Sequence, residues 1–115
     1  MNYQEYRKSL NQKLSGRVKQ ELFDFRKEIL SKTSQEIYDA AHQIILKSDI
    51  AECFLETDYS PQAVKALMKS SNLLQDIYEE CLEKDNPHKE DLFQIIKDFK
   101  DYMVKTEKIL SEKER

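Results

Sequence analysis

The side chains in this sequence best suited to covalent or metal chemistry are two thiols and two imidazoles: Cys53, Cys81, His42 and His88. Nucleophilic catalysis needs a thiolate within reach of its base, and a zinc site needs several N or S ligands, commonly supplied in Cys-x-x-Cys pairs. Cys53 and Cys81 are 28 positions apart and neither belongs to such a pair. In a small chain they read as buried, reduced residues. His42 falls beside Ala41 and Ile45 on a helical segment, and His88 in the first turn of the last helix, so neither is placed to act as a base. A single glycine rules out a Gly-rich phosphate loop, and "DNPHKED" (85–91) lacks the central glycine and alternating ligands of a calcium loop. The expectation is no enzyme, no cofactor and no metal.

The remaining charged chemistry is acidic and local. Residues 1–47 carry nine Lys/Arg against six Asp/Glu (+3), residues 48–83 two against eight (−6), and residues 84–115 eight against eight (0), which sum to the net −3. Asp49, Glu52, Glu56 and Asp58 form one group, and Asp76, Glu79, Glu80 and Glu83 another, with Lys65 and Lys69 between them. Helical spacing puts 49, 52 and 56 on one face, and 76, 79, 80 and 83 on one face. Each group reads either as the solvated side of an amphipathic helix or as part of an acidic face that docks a basic partner surface. Residues 60–83 have helix-turn-helix proportions, but the segment in the recognition position, "LLQDIYEECLE", holds four acids and no base. Direct nucleic-acid binding is therefore not expected.

Helices must position these groups. Tyr3, Tyr6, Leu10, Leu14, Val18, Leu22, Phe25 and Ile29 recur every three or four residues, a single stripe along a first helix of about eight turns. Gly16 is its weak point, a kink or a break with Ser15 capping a second helix. "TSQE" at 33–36 is a capping box that opens the next helix, with Ile37, Ala40, Ala41, Ile44, Ile45 and Leu46 inward and a bend expected near "KSD" (47–49). The adjacent alanines suggest close approach of another helix. Ser60-Pro61 starts a short helix, Ser71 or Asn72 caps one with Leu73, Leu74, Ile77, Tyr78, Cys81 and Leu82 inward, and Asn86-Pro87 opens the last. That last helix carries Leu92, Ile96, Phe99, Met103, Thr106 and Leu110, a spacing a coiled-coil seam also uses. Flanked by Ile95, Tyr102 and Ile109, the stripe is wide enough for a bundle helix with two neighbours, the reading preferred for a run of only about three heptads.

With 115 residues, 39% hydrophobic and 36% charged, two Pro and one Gly, the chain fits one all-α domain (1–115), a compact bundle of about five helices with long first and last members. No apolar run approaches the ~18 residues of a membrane span, and "MNYQEYRKSL" lacks a signal-like apolar block, so a cytoplasmic protein without membrane contact is expected. Aromatic residues exceed what a thin bundle must bury. Phe23 and Phe93, lying off the main stripes, are candidates for self-association or a partner helix.

The segments "EIYDAAHQIILKSDI" and "ALMKSSNLLQDIYEE" resemble a small all-helical bacterial family, a domain of unknown function found in gut Gram-positive bacteria and their mobile elements. The matching features are Glu36-Ile37, Ala41, Lys47-x-Asp49-Ile50, Ala66-Leu67-Met68 with Ser70, and Leu74-x-Asp76-Ile77-Tyr78, within about residues 30 to 80. Pro61 and the basic tail depart from that pattern. The resemblance implies a compact helical domain without known activity. It also implies an alternative to a protein-interaction domain that can form a homodimer: a mobile-element inhibitor of a nucleic-acid-handling host-defence enzyme, working through a local acidic face.

Overall fold

Four of the helix starts follow from a side chain that satisfies otherwise orphaned amides, while the helix that begins after Ala40 does so without one. The computed structural model describes residues 2–84 and 88–113, and among them six helices: α1 (Tyr3–Leu30), α2 (Ser34–Asp39), α3 (Ala41–Glu56), α4 (Pro61–Leu67), α5 (Leu73–Cys81) and α6 (Lys89–Lys113). Asn2, Thr33, Ser60 and Asn72 accept from the amides of Glu5, Glu36, Ala63 and Gln75, and so cap α1, α2, α4 and α5. The capping box is reciprocal in part, with the Thr33 hydroxyl also donating to Glu36 Oε1 at 2.9 Å. Asn86 and Pro87, expected to open the last helix, lie outside the described residues. His88, just before α6, donates its amide to Asp91 Oδ2 at 2.9 Å.

Two expectations are corrected. α1 runs unbroken through Gly16, so Ser15 caps nothing, and the space around the position where a Cβ would stand is open to 4 Å. The discontinuity in the second segment falls at Ala40 rather than at Lys47–Asp49. Ala40 sits at φ −90°, ψ 2° and closes α2 by donating to the carbonyls of Glu36, Ile37 and Tyr38. The turn swings Ala41 and Ile45 outward to solvent, so this stretch is not the close helix contact that its two alanines suggested.

Leu14 and Val18 of α1 meet Ile50, Cys53 and Phe54 of α3, Val64 and Leu67 of α4, Leu73, Leu74 and Ile77 of α5, and Leu92 and Ile96 of α6 in one continuous core. α3 packs on α1, α5 and α6, while α4 packs on α1 and α6. This is the wide-stripe bundle expected of α6 at its N-terminal half. Further along, Tyr102, Ile109 and Leu110 are exposed. α2 packs on α1 and α3 but buries no residue of its own. No helix among the described residues is long and apolar enough to cross a membrane.

Candidate functional site

Periodic stripes locate the core, but the contacts that fix the helix pairs are long-range bonds between side chains and backbone. Asn11 of α1 behaves like a short strand partner. Its Nδ2 donates to the Tyr59 carbonyl at 2.8 Å, and its Oδ1 accepts the Tyr59 amide at 2.8 Å. This satisfies both polar backbone groups of a buried residue in the α3–α4 link. One turn earlier, Arg7 pairs with Asp58 at 3.1 Å.

A second clamp sits at the α4–α5 turn. Glu21, largely buried, accepts the amides of Leu73 at 3.0 Å and Leu74 at 2.8 Å, supplementing the Asn72 cap with a full negative charge at the positive end of α5. Arg17, one turn before it on α1, bonds Glu21 Oε1 at 3.2 Å and donates to the carbonyls of Met68 (2.7 Å) and Ser70. A single i,i+4 ion pair thus holds the C-terminal end of one helix and the N-terminal end of the next.

Lys47 is the third long-range contact and the least expected. It is only 4% exposed, its ammonium lying 3.9 Å over the Phe25 ring and 5.4 Å from that of Tyr78, and donating to Gln75 Oε1 at 2.6 Å. Burial holds its pKa below the usual lysine value, against the pull of Glu28, Glu21 and Glu79. It ties α1, α3 and α5 together through cation–π contacts and a hydrogen bond.

The predicted acidic residues differ in their surroundings. Asp49, Glu52 and Glu56 follow Ile45 along the outer strip of α3, all exposed. Asp58 is engaged by Arg7, and Asp76 accepts from the Ser70 hydroxyl. Glu79, Glu80 and Glu83 are exposed on α5 and the turn after it. Glu56 and Asp58 border a groove of about 600 Å³ lined also by Arg7, Lys8 and Lys19 of α1. Glu80 and Glu83 border another of about 430 Å³, against Phe99 and Tyr102 of α6.

Of the two aromatic candidates, Phe93 is half-buried against the core and lines a cleft with Tyr59 and Ile96. Phe23 stands out in solvent, and it is not alone. Phe23 and Leu30 of α1, Tyr38 of α2 and Ile45 of α3 are 61, 75, 77 and 62% exposed. Phe23 and Leu30, seven residues apart, share one face of α1, and the three helices pack on one another. The sequence hint was present at Phe23. Leu30 and Tyr38 also lie off the expected inward faces, whereas Ile45, expected inward, is exposed in the helix that starts after the turn at Ala40.

Cys53 and Cys81 are both buried and form no disulfide, and burial pushes the Cys81 pKa up to about 11, away from a reactive thiolate. His42 and His88 are exposed. Among the described residues no group of three or more His, Cys, Asp or Glu is placed to hold a metal ion. No protein-family model matches the chain, and no curated protein or solved structure is similar to it.

Proposed function

We propose that this chain is a non-enzymatic helical protein-interaction domain that pairs with a second copy of itself through the α1–α2–α3 end. One observation carries the reading: Phe23, Leu30, Tyr38 and Ile45, large apolar side chains on three mutually packed helices, are each more than 60% exposed. Large apolar side chains left exposed at one end of a bundle mark candidate association sites in soluble proteins. α2 contributes nothing to the core, which is the behaviour of an element whose apolar side needs a second body. Charge permits a like partner. Residues 23–45 carry Arg26, Lys27 and Lys32 against Asp24, Glu28, Glu36 and Asp39, a net of only −1, so two copies related by a two-fold axis meet with little repulsion.

The test is sedimentation velocity between about 5 and about 200 μM, a range in which a micromolar dimer dissociates and reforms. The wild-type chain forms a concentration-dependent dimer, and the Phe23→Ser/Tyr38→Ser/Ile45→Ser variant remains monomeric with an unchanged helical circular dichroism spectrum. A wild-type monomer at every concentration refutes the reading.

A second reading, the inhibitor of a nucleic-acid-handling enzyme, is favoured by the outward placement of Asp49, Glu52, Glu79, Glu80 and Glu83. Charge reversal at Glu52, Glu79 and Glu80 separates the two. It abolishes capture of a basic-surfaced partner if the acids dock, and leaves the dimer untouched if the apolar end does.

A further inference from the structure

A different surface of the bundle has the opposite charge. Where α1, α4 and α6 meet, a groove of about 470 Å³ has Leu10, Val64 and Met68 as its floor and Lys13, Lys65 and Lys69 on its rim, with Glu107 as its one acid. Three cations against one carboxylate leave the lining at +2, on a chain whose net charge is −3. Lys69 and Glu107 stand 3.9 Å apart with side chains 63 and 44% exposed, a separation at which a solvated pair is worth little and is readily exchanged. Lys65 extends over the Tyr6 ring, 5.2 Å from its centre.

The floor is held in place before anything binds. Arg17 fixes the Met68 carbonyl at 2.7 Å and reaches its sulfur at 3.9 Å, and the Arg17–Glu21 clamp anchors the turn that follows. An apolar floor on a fixed frame, with an adaptable thioether at its edge, accepts an inserted side chain with little ordering cost.

We infer that this groove docks an acidic amphipathic helix of a partner protein. Apolar residues spaced i, i+3 or i+4 insert over Leu10, Val64 and Met68, and carboxylates flanking that ridge meet Lys13, Lys65 and Lys69. Three lysines beside an apolar floor suit a short acidic helix better than a nucleic-acid backbone, which demands a longer basic track. The α1–α2–α3 end of a second copy does not fit, because with three bases against four acids it has almost no net charge to offer. The inference does not depend on the dimer reading, and the two surfaces share no residue.

Fluorescence anisotropy with the full chain tests it, using a labelled helical peptide of roughly 18 residues, five turns, with a leucine ridge flanked by glutamates. The same ridge flanked by lysines and the dodecanoate anion serve as rival probes. The glutamate peptide binds, more weakly as salt rises, and the lysine peptide binds at least about tenfold more weakly. Lys65→Glu/Lys69→Glu lowers glutamate-peptide affinity about tenfold or more with unchanged circular dichroism, and Glu107→Gln raises it. The Phe23→Ser/Tyr38→Ser/Ile45→Ser variant binds the peptide like wild type, which keeps a failure of this site distinct from a failure of the dimer. Equal or absent binding of both peptides, binding of dodecanoate alone, or an unchanged Lys65→Glu/Lys69→Glu variant overturns the inference. Loss of self-association in that variant would assign the groove to a second copy and overturn it equally.

Discussion

Replacing Glu21 with alanine removes both carboxylate oxygens from the start of α5. The residues whose amides they accept, Leu73 and Leu74, are 0 and 1% exposed, so water has poor access to the N–H groups left behind. An orphaned buried donor costs about 1–3 kcal/mol, and with two donors and the loss of a charge at a helix N-terminus, partly offset by the remaining Asn72 cap, the expected destabilisation is about 3 kcal/mol. For a 115-residue domain that is a fall in Tm of roughly 12 °C. Glu21→Gln keeps one acceptor without the charge, and loses about 1.5 kcal/mol. Urea unfolding followed by circular dichroism gives both values, with the slope m unchanged if only the native state is affected. The clamp is shared, so Arg17→Ala costs less in the Glu21→Ala background than in wild type. If Glu21→Ala is destabilised by less than about 0.5 kcal/mol, the two bonds do not anchor α5 and the reasoning fails.

Three further outcomes follow from the same geometry. Burial raises the Cys81 thiol to about 11 and the Tyr59 hydroxyl to about 12, from 9.0 and 10.0, so the unfolded chain gives up these protons first and stability falls as pH rises from 9 through 12; Lys47, held below 10.5, works in the opposite direction up to 10.5. Cys81 contributes roughly 3 kcal/mol of that loss, and Cys81→Ala unfolds with a correspondingly flatter pH dependence between 9 and 11 in urea titrations. Native protein at neutral pH leaves Cys53 and Cys81 unmodified by a thiol-specific disulfide reagent, and the labelling rate rises with urea in step with unfolding; prompt labelling of either in the native state contradicts their burial. Gly16→Ala stabilises by about 0.5–1 kcal/mol in thermal melts, because α1 is regular there and no atom crowds the added methyl group.

Local physics was legible in the sequence. A hydroxyl or amide that caps a helix acts within three residues, so Thr33, Ser60 and Asn72 could be read without knowing the fold. The core stripe of α1 was equally readable at Leu14, Val18 and Ile29, whereas Tyr3, on the same stripe, is exposed. Position 40 was not legible, because Ala40 favours a helix by propensity and only tertiary packing makes it a turn. The outward placement of Glu52, Glu56, Glu79 and Glu80 was readable from helical spacing, yet which of the acids border a groove, Glu56 and Asp58 on one and Glu80 and Glu83 on another, depends on helix crossing, which periodicity does not encode. Lys47 shows the same limit from the other side. A lysine within a mixed segment reads as solvated, and its burial depends on Phe25 and Gln75, 22 and 28 positions away. Asn11, Arg17 and Glu21 act on backbone groups about 50 positions distant, a reach that leaves no pattern in the chain.

Isotope-filtered nuclear Overhauser spectroscopy on an equal mixture of labelled and unlabelled chains at a concentration that populates the dimer tests the pairing most directly. The account predicts contacts between subunits from Phe23, Leu30, Tyr38 and Ile45 to the same set across a two-fold axis. Intersubunit contacts confined to other surfaces, or none at a concentration where the chain sediments as a dimer through those residues, would contradict it.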